Sequence, residues 1–95
     1  MNDLLAKKIE GKLVGVSPEM FYEWFIYAAK TDLNQALKFA KAMGKRNYGF
    51  KSIHDTVKKY LKDLEKLSKD DQVTVLGLVW ILLSKRKYYL AYDRI

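Results

Sequence analysis

The residues best suited to chemistry are the cations of one acid-free stretch. No aspartate or glutamate occurs from Leu33 to His54, and five basic residues fall inside that interval. Lysine and arginine neutralise phosphates, and aromatic rings stack on unpaired bases. The stretch therefore predicts a sequence-tolerant nucleic-acid surface. Its members are Lys38, Lys41, Lys45, Arg46 and Lys51, with the rings of Tyr48 and Phe50 among them.

The geometry of this surface depends on the helix that precedes it. Lys38, Lys41 and Lys45 are three and four residues apart, so they share a helix face if that helix reaches Lys45. The alternative is a solvated basic face in which Tyr48 and Phe50 pack into the core beneath a loop. The sequence leaves both interpretations open.

A second acid-free block runs from Gln72 to Tyr92 and contributes Lys85, Arg86 and Lys87 to the same hypothesis. The whole chain has a formal net charge of +7, which is a strong bias for 95 residues. Such a charge favours nucleic acid, an anionic membrane surface or an acidic protein as partner, although solubility alone also explains it. We expect a nucleic-acid partner, DNA in preference to RNA, and no membrane.

Catalytic and metal motifs are missing from the sequence. His54 is the single histidine, there are no cysteines, and the glycines form no phosphate-binding loop. Ser17, Ser52 and Ser68 stand where helices begin, so capping explains them without a nucleophile. We therefore expect a non-enzyme that binds no metal and needs no cofactor.

Length and composition predict a single domain. The chain has 95 residues, 49% of them hydrophobic, which suffices for one modest core. The amino-terminal residues lack the apolar core of a secretory signal, so we expect a cytoplasmic protein. Abundant lysine and tyrosine with few asparagines and glutamines favours a thermophilic source.

The segment from Gln72 to Leu83 is the most apolar of the chain, with nine large apolar residues among twelve. Ser68 can cap a helix there, acids follow in the first turn, and cations follow the apolar run. The run is shorter than the roughly 20 residues of a membrane span. We therefore predict a buried central helix from about Lys69 to about Tyr88, in which a crossing helix, such as the one carrying Trp24, approaches Gly77.

The predicted fold is all-α, a compact single-domain bundle of about five helices around that central helix, covering residues 1–95. Gly44 is expected to end the third helix in a left-handed conformation, and Ser52 with Asp55 to form a capping box for the fourth. The other helices are expected from Asn2 or Asp3 to about Lys12, from Pro18 to about Lys30, from about Asp32 to Met43, and from about Ile53 to Leu67.

The second and third predicted helices have the outline of a helix-turn-helix. That arrangement would present Asn34, Gln35 and Lys38 near the start of the third helix, where base edges are read. The turn lacks the usual glycine, and any short hairpin of two helices has the same outline. The pattern is therefore weak evidence for duplex docking.

An alternative function is an accessory subunit of a larger nucleic-acid enzyme, such as a DNA polymerase, in a replication or transcription complex. Its motivation is surplus apolar and aromatic surface on the second helix and in a tyrosine-rich tail over residues 88–95, which either continues the last helix or separates from it. The partner-binding candidates are Tyr22, Ile26, Tyr27, Tyr88, Tyr89 and Tyr92. A peripheral membrane protein is a third alternative. Oligomeric state is not predicted.

Overall fold

The protein is an all-α single-domain bundle, as the sequence predicts. The computed structural model describes the backbone of residues 2–93 and the side chains of residues 2–87. Within that range the chain forms six helices: α1 (Asn2–Lys12), α2 (Pro18–Lys30), α3 (Leu33–Gly44), α4 (Tyr48–Lys59), α5 (Leu61–Glu65) and α6 (Lys69–Asp93).

Helix α2 joins the two sides of the bundle. It packs against α6 on one side and against α3 on the other, while α3 packs closely on α4 and α1 on α6. Trp24 of α2 is fully buried, and its indole Nε1–H donates a hydrogen bond of 2.9 Å to the Ala36 carbonyl of α3. The ring of Phe21 lies 5.5 Å from that of Trp24. This aromatic pair fills the centre of the core, and the hydrogen bond to Ala36 satisfies the indole N–H of Trp24.

Helix α6 begins where the sequence predicts and ends later. Ser68 Oγ accepts a hydrogen bond from the Asp71 backbone N–H, and the helix continues to Asp93. Its buried residues, Val75, Leu76, Val79 and Leu83, form one stripe that faces α1 and α2. Ile81, on the opposite side, is 44% exposed. The helix is therefore more exposed than its apolar content predicts.

Helix α4 begins earlier than predicted because a different residue caps it. Asn47 Oδ1 accepts hydrogen bonds from the backbone N–H groups of Gly49 and Phe50, at 2.9 and 3.3 Å. The predicted capping box of Ser52 and Asp55 is therefore wrong, since both residues lie inside the helix. Ser52 Oγ instead accepts a hydrogen bond of 2.9 Å from the Val14 N–H, which ties the α1–α2 connector to α4.

The helix predicted from Ile53 to Leu67 is divided at Tyr60. The backbone of Tyr60 has φ −103° and ψ 15°, outside the helical region, and its N–H donates to the carbonyls of both Thr56 and Val57. The break turns the short helix α5 so that Leu64 is fully buried. Neither glycine nor proline marks this break in the sequence.

The predicted left-handed cap at Gly44 is also wrong. Gly44 is the last residue of α3, and among the described residues only Gly15 has a positive φ, of 68°. A Cβ at Gly44 would lie 2.9 Å from the Cα of Lys51 and 3.0 Å from its backbone nitrogen. Glycine is needed here because the backbones of α3 and α4 cross too closely for any side chain.

Gly77 has a different environment. A Cβ at this position would meet only the Cζ atom of Phe25, at an ordinary contact distance of 3.7 Å. Helix α2, which carries Trp24, does face Gly77 as predicted, but it leaves room for a methyl group. The packing of one chain therefore does not require glycine at position 77.

The requirement for glycine at position 44 is testable by substitution. We expect Gly44→Ala to lower the free energy of unfolding by about 1–3 kcal/mol, because the new methyl group forces α3 and α4 apart. Gly11→Ala is the control, since nothing lies within 4 Å of a Cβ there, and it should be neutral or stabilising by up to about 1 kcal/mol. Urea unfolding followed by circular dichroism measures both. Equal midpoints for the two variants would contradict the close crossing.

Candidate nucleic-acid interface

The crossing of α3 and α4 forms a basic concavity. A cleft of about 500 Å³ lies between the end of α3 and the first turns of α4. We call it the basic cleft. It is lined by Lys41, Gly44, Lys45, Lys51, His54 and Asp55. Three lysines from two helices thus face one open volume.

Each lysine of the basic cleft has its place fixed by local structure. Lys41 and Lys45 are four residues apart, on either side of Gly44, so they follow one edge of α3. Lys51 stands on the opposite wall, where its backbone contacts Gly44. The close crossing that excludes a side chain at position 44 therefore brings the two lysine-bearing walls together.

A second, smaller cleft adjoins the first. It has a volume of about 220 Å³ and shares Lys51 and Asp55 with the basic cleft. Tyr48 is 66% exposed on its wall. Its other lining residues are Lys12, Val14, Ser52 and Thr56. The two clefts form a continuous surface on either side of Lys51, with one exposed aromatic ring.

Positive charge prevails on this surface. Asp55 is the one carboxylate that lines either cleft, and its Oδ1 lies 3.0 Å from Nδ1 of His54. Among the side chains of residues 2–87, neither Lys41, Lys45 nor Lys51 has a carboxylate within ion-pair distance. These ammonium groups are therefore available to an external anion.

Phe50 does not take part as a stacking platform. Its side chain is 4% exposed, and its ring packs edge-on against Phe39 at 5.7 Å. Of the two roles that the sequence left open for Phe50, stacking and packing, the structure shows packing, because α4 begins before this residue and turns it inward. Tyr48, two residues earlier on the same helix, remains accessible.

Other cations of the first acid-free stretch stand outside the clefts. Lys38 and Arg46 are exposed, but neither lines the basic cleft or its neighbour. Asn34 and Gln35, the candidates for base reading, are exposed at the start of α3, where Asp32 Oδ1 accepts a hydrogen bond from the Gln35 N–H. They line neither the basic cleft nor its neighbour.

Two of the three cations in the basic block of α6 form ion pairs within the chain. Arg86 pairs with Glu10 of α1 at 3.2 Å, and Lys87 pairs with Glu19 of α2 at 2.6 Å. The hydrogen bond from Lys87 holds the pKa of Glu19 below its ordinary value of 4.5. Lys85 is exposed beside Asp3 and Lys7. These three cations line neither of the clefts described above.

The partner-binding candidates of α2 differ in exposure. Tyr22 is 43% exposed and its ring lies 5.0 Å from that of Trp80, at the junction with α6. Tyr27 is half-buried and stacks on Phe39 at 4.7 Å, so it belongs mainly to the core. Ile26 is half-buried. The side chains of Tyr88, Tyr89 and Tyr92 lie outside the described residues.

Two lining residues had been missed by sequence reasoning. Lys12 is brought to Lys51 by tertiary contact across nearly forty residues, which no local pattern reveals. His54 lies at the start of the helix predicted from about Ile53 to Leu67, yet in the structure it stands three residues after Lys51 on α4 and so shares its face. The spacing of three between Lys51 and His54 places both on one face only because α4 begins at Tyr48, before Lys51.

Comparison with known proteins adds no further information: no family model, curated protein or solved structure matches this chain. Within the described residues, no cluster of three or more histidine, cysteine, aspartate or glutamate side chains could hold a metal ion. Over the same residues, no helix is both long enough and apolar enough to cross a bilayer.

Proposed function

We propose that this protein is a non-enzymatic nucleic-acid-binding module of the cytoplasm, with DNA as its expected ligand. The observation that supports the proposal is the convergence of Lys41, Lys45 and Lys51 on one cleft, with no carboxylate within ion-pair distance among the side chains of residues 2–87. Phosphate groups along a nucleic-acid strand would bind in this cleft, with release of counterions supplying most of the affinity. Neither catalysis nor a cofactor is needed for this.

The flanking residues suit a strand that continues past the basic cleft. Lys51 borders both clefts, so a backbone that leaves one cleft beside Lys51 enters the other beside Lys12 and Tyr48. An unpaired base there could stack on the exposed ring of Tyr48. Asp55 opposes phosphate, and its Oδ1 lies 3.0 Å from Nδ1 of His54, which lines the same basic cleft. A single strand fits this surface better than a duplex.

A second candidate function is an accessory subunit of a larger nucleic-acid enzyme. The observation in its favour is exposed aromatic and apolar surface at Tyr22, where α2 meets α6, and at Ile81, on the outer side of α6. In that case the positive charge would face an acidic protein surface or hold DNA near the enzyme. Peripheral membrane binding is the third candidate, and flotation with anionic liposomes distinguishes it from both.

Neutralising the basic cleft tests the first proposal. We expect the triple variant Lys41→Gln, Lys45→Gln, Lys51→Gln to bind labelled single-stranded DNA at least about tenfold more weakly at low salt. The slope of log affinity against log salt should fall in magnitude by roughly two, because each of the three phosphate contacts to a single strand contributes about 0.7. Fluorescence anisotropy between about 50 and 200 mM salt measures both quantities, with RNA and duplex DNA of equal length in parallel.

The matched control neutralises three exposed lysines elsewhere. The control variant is Lys58→Gln, Lys62→Gln, Lys66→Gln, which removes the same charge. These three lysines lie on α4, on α5 and in the following turn, and they line neither cleft. The control should retain most of the affinity and slope. Equal losses in the two triple variants would mean that net charge alone drives binding. Absence of binding by the unaltered protein at low salt would favour the accessory-subunit function.

Tyr48 distinguishes single-strand stacking from binding by charge alone. We expect Tyr48→Ala to weaken binding to single-stranded DNA by on the order of 1–3 kcal/mol, the range for one base stacked on an aromatic ring. Binding to duplex DNA should change little, because paired bases are already stacked. Tyr48→Phe keeps the ring and serves as the control in the same anisotropy assay. A loss that is equal for single strands and duplexes would contradict stacking.

A further inference from the structure

The exposed side of α6 carries a row of residues with symmetric spacing. We call this row the outer stripe. The successive intervals between its members are four, three, one, three and four residues, so the pattern is the same in both chain directions. All six positions fall on one face of an α-helix. The members are Asp70, Thr74, Gly77, Leu78, Ile81 and Lys85.

The outer stripe is only partly covered within the described chain: Gly77 and Leu78 are half-buried, beside Phe25 and against the core. The exposed members are Asp70, Thr74, Ile81 and Lys85. Helix α6 directs Val75, Val79 and Leu83 toward α1 and α2, and the outer stripe lies on the other side. Its four uncharged members are two apolar residues, a threonine and a glycine, and Ile81 is 44% exposed. Leu78 is half-buried beside Ile81, so the exposed apolar surface of this face is small and centred on Ile81.

Gly77 at the middle of the outer stripe is unexplained by the fold of one chain. Glycine inside a helix is unfavourable relative to alanine, and a methyl group at position 77 would make only an ordinary contact with Phe25. Gly77 is half-buried beside Phe25, and the absence of a side chain there leaves room for a second backbone at this edge of the stripe. The two residues at the centre of the row, Gly77 and Leu78, form a hollow beside a projection.

The charges of the outer stripe are complementary to themselves. Asp70 stands at one end and Lys85 at the other, with no charged residue on α6 between Gln72 and Ser84. Among the described side chains neither has an intramolecular ion-pair partner, whereas the neighbouring cations Arg86 and Lys87 both do. Asp70 and Lys85 are thus left for contacts outside the chain.

We propose that a second copy of this chain docks on the outer stripe, with the two α6 helices antiparallel about a two-fold axis between Gly77 and Leu78. A two-fold contact requires that each surface complement itself, and the symmetric spacing meets that requirement. In this register Asp70 faces Lys85 of the second copy at both ends. Thr74 faces Ile81, and Gly77 faces Leu78.

The parallel arrangement is disfavoured by the same charges. It would place each Asp70 beside its own equivalent and each Lys85 beside its own equivalent, so both ends would repel. The antiparallel arrangement also covers a shallow groove of about 140 Å³ between α1 and α6, lined in part by Leu78, Ile81 and Leu82. The dimer does not depend on the proposed nucleic-acid function, because the basic cleft lies on α3 and α4.

Charge exchange between separate variants tests the contact and its register. Asp70→Lys has lysines at both ends of the outer stripe, and Lys85→Asp has aspartates at both ends. Each variant alone should associate about tenfold or more weakly than the unaltered protein, since two complementary contacts become repulsive. An equimolar mixture of the two restores complementarity at both ends, so we expect dimers to return in the mixture.

Sedimentation equilibrium over a range of concentrations measures the association, with one chain at 11.1 kDa and the dimer at twice that mass. Circular dichroism confirms that each variant is folded. Lys58→Asp, on the exposed side of α4, makes the same charge change away from the outer stripe and should leave association unchanged. A chain that stays at the monomer mass up to about 1 mM overturns the proposal.

Cysteine cross-linking provides an independent test, because the chain has no cysteine. Thr74→Cys and Ile81→Cys face each other across the proposed dimer. Their mixture should form disulfide-linked dimers under mild oxidation faster than either variant alone. Cross-linking that is no faster in the mixture, or a charge-exchange mixture that stays dissociated, would show that any dimer uses another surface and would overturn the proposed contact.

Discussion

The close crossing of α3 and α4 at Gly44 is the constraint on which the candidate site depends. Because no side chain fits between the end of α3 and the Lys51 backbone, the two helices make their close contact there. The basic cleft lies at this contact, and three of its six lining residues are lysines. The cap at Asn47 starts α4 early enough for Lys51 to lie on a helix wall and not in a mobile loop.

Similar basic residues have different roles on the two sides of the bundle. On α6, Arg86 and Lys87 are held by carboxylates of α1 and α2, so they contribute to the attachment of that helix. Such exposed pairs contribute little free energy, and the buried stripe of α6 supplies most of the stabilisation. On α3 and α4, Lys41 and Lys51 have no such partners among the described side chains. Cation distribution, more than total charge, therefore indicates the binding surface.

Local signals in the sequence predicted the parts of the fold that are locally determined. Ser17 and Asp32 cap α2 and α3 through hydrogen bonds to residues three positions later, so the starts of these helices were predictable. Competition between two local signals caused the error at α4. Asn47 and Ser52 are both suitable caps, and Ser52 is instead engaged by Val14, 38 positions away in the chain.

The candidate site was predictable only in part, for the same reason. The lysines of the basic cleft are evident from the acid-free stretch, but their convergence depends on the crossing at Gly44. The position of Lys12 and the inward orientation of Phe50 follow from tertiary contacts that leave no local pattern. The separation of Lys85 from the cleft likewise follows from how α6 packs on α1 and α2.

The most direct measurement is an NMR titration of the isotopically labelled protein with a short single-stranded DNA at low salt. Backbone amide shifts report which residues are near the ligand without any substitution in the chain. We expect the largest shift changes from Lys41 to Asp55 and at Lys12, with little change on α6 from Val73 to Ser84. Changes concentrated on α6, or none at low salt, would contradict the assignment of the basic cleft as the nucleic-acid interface.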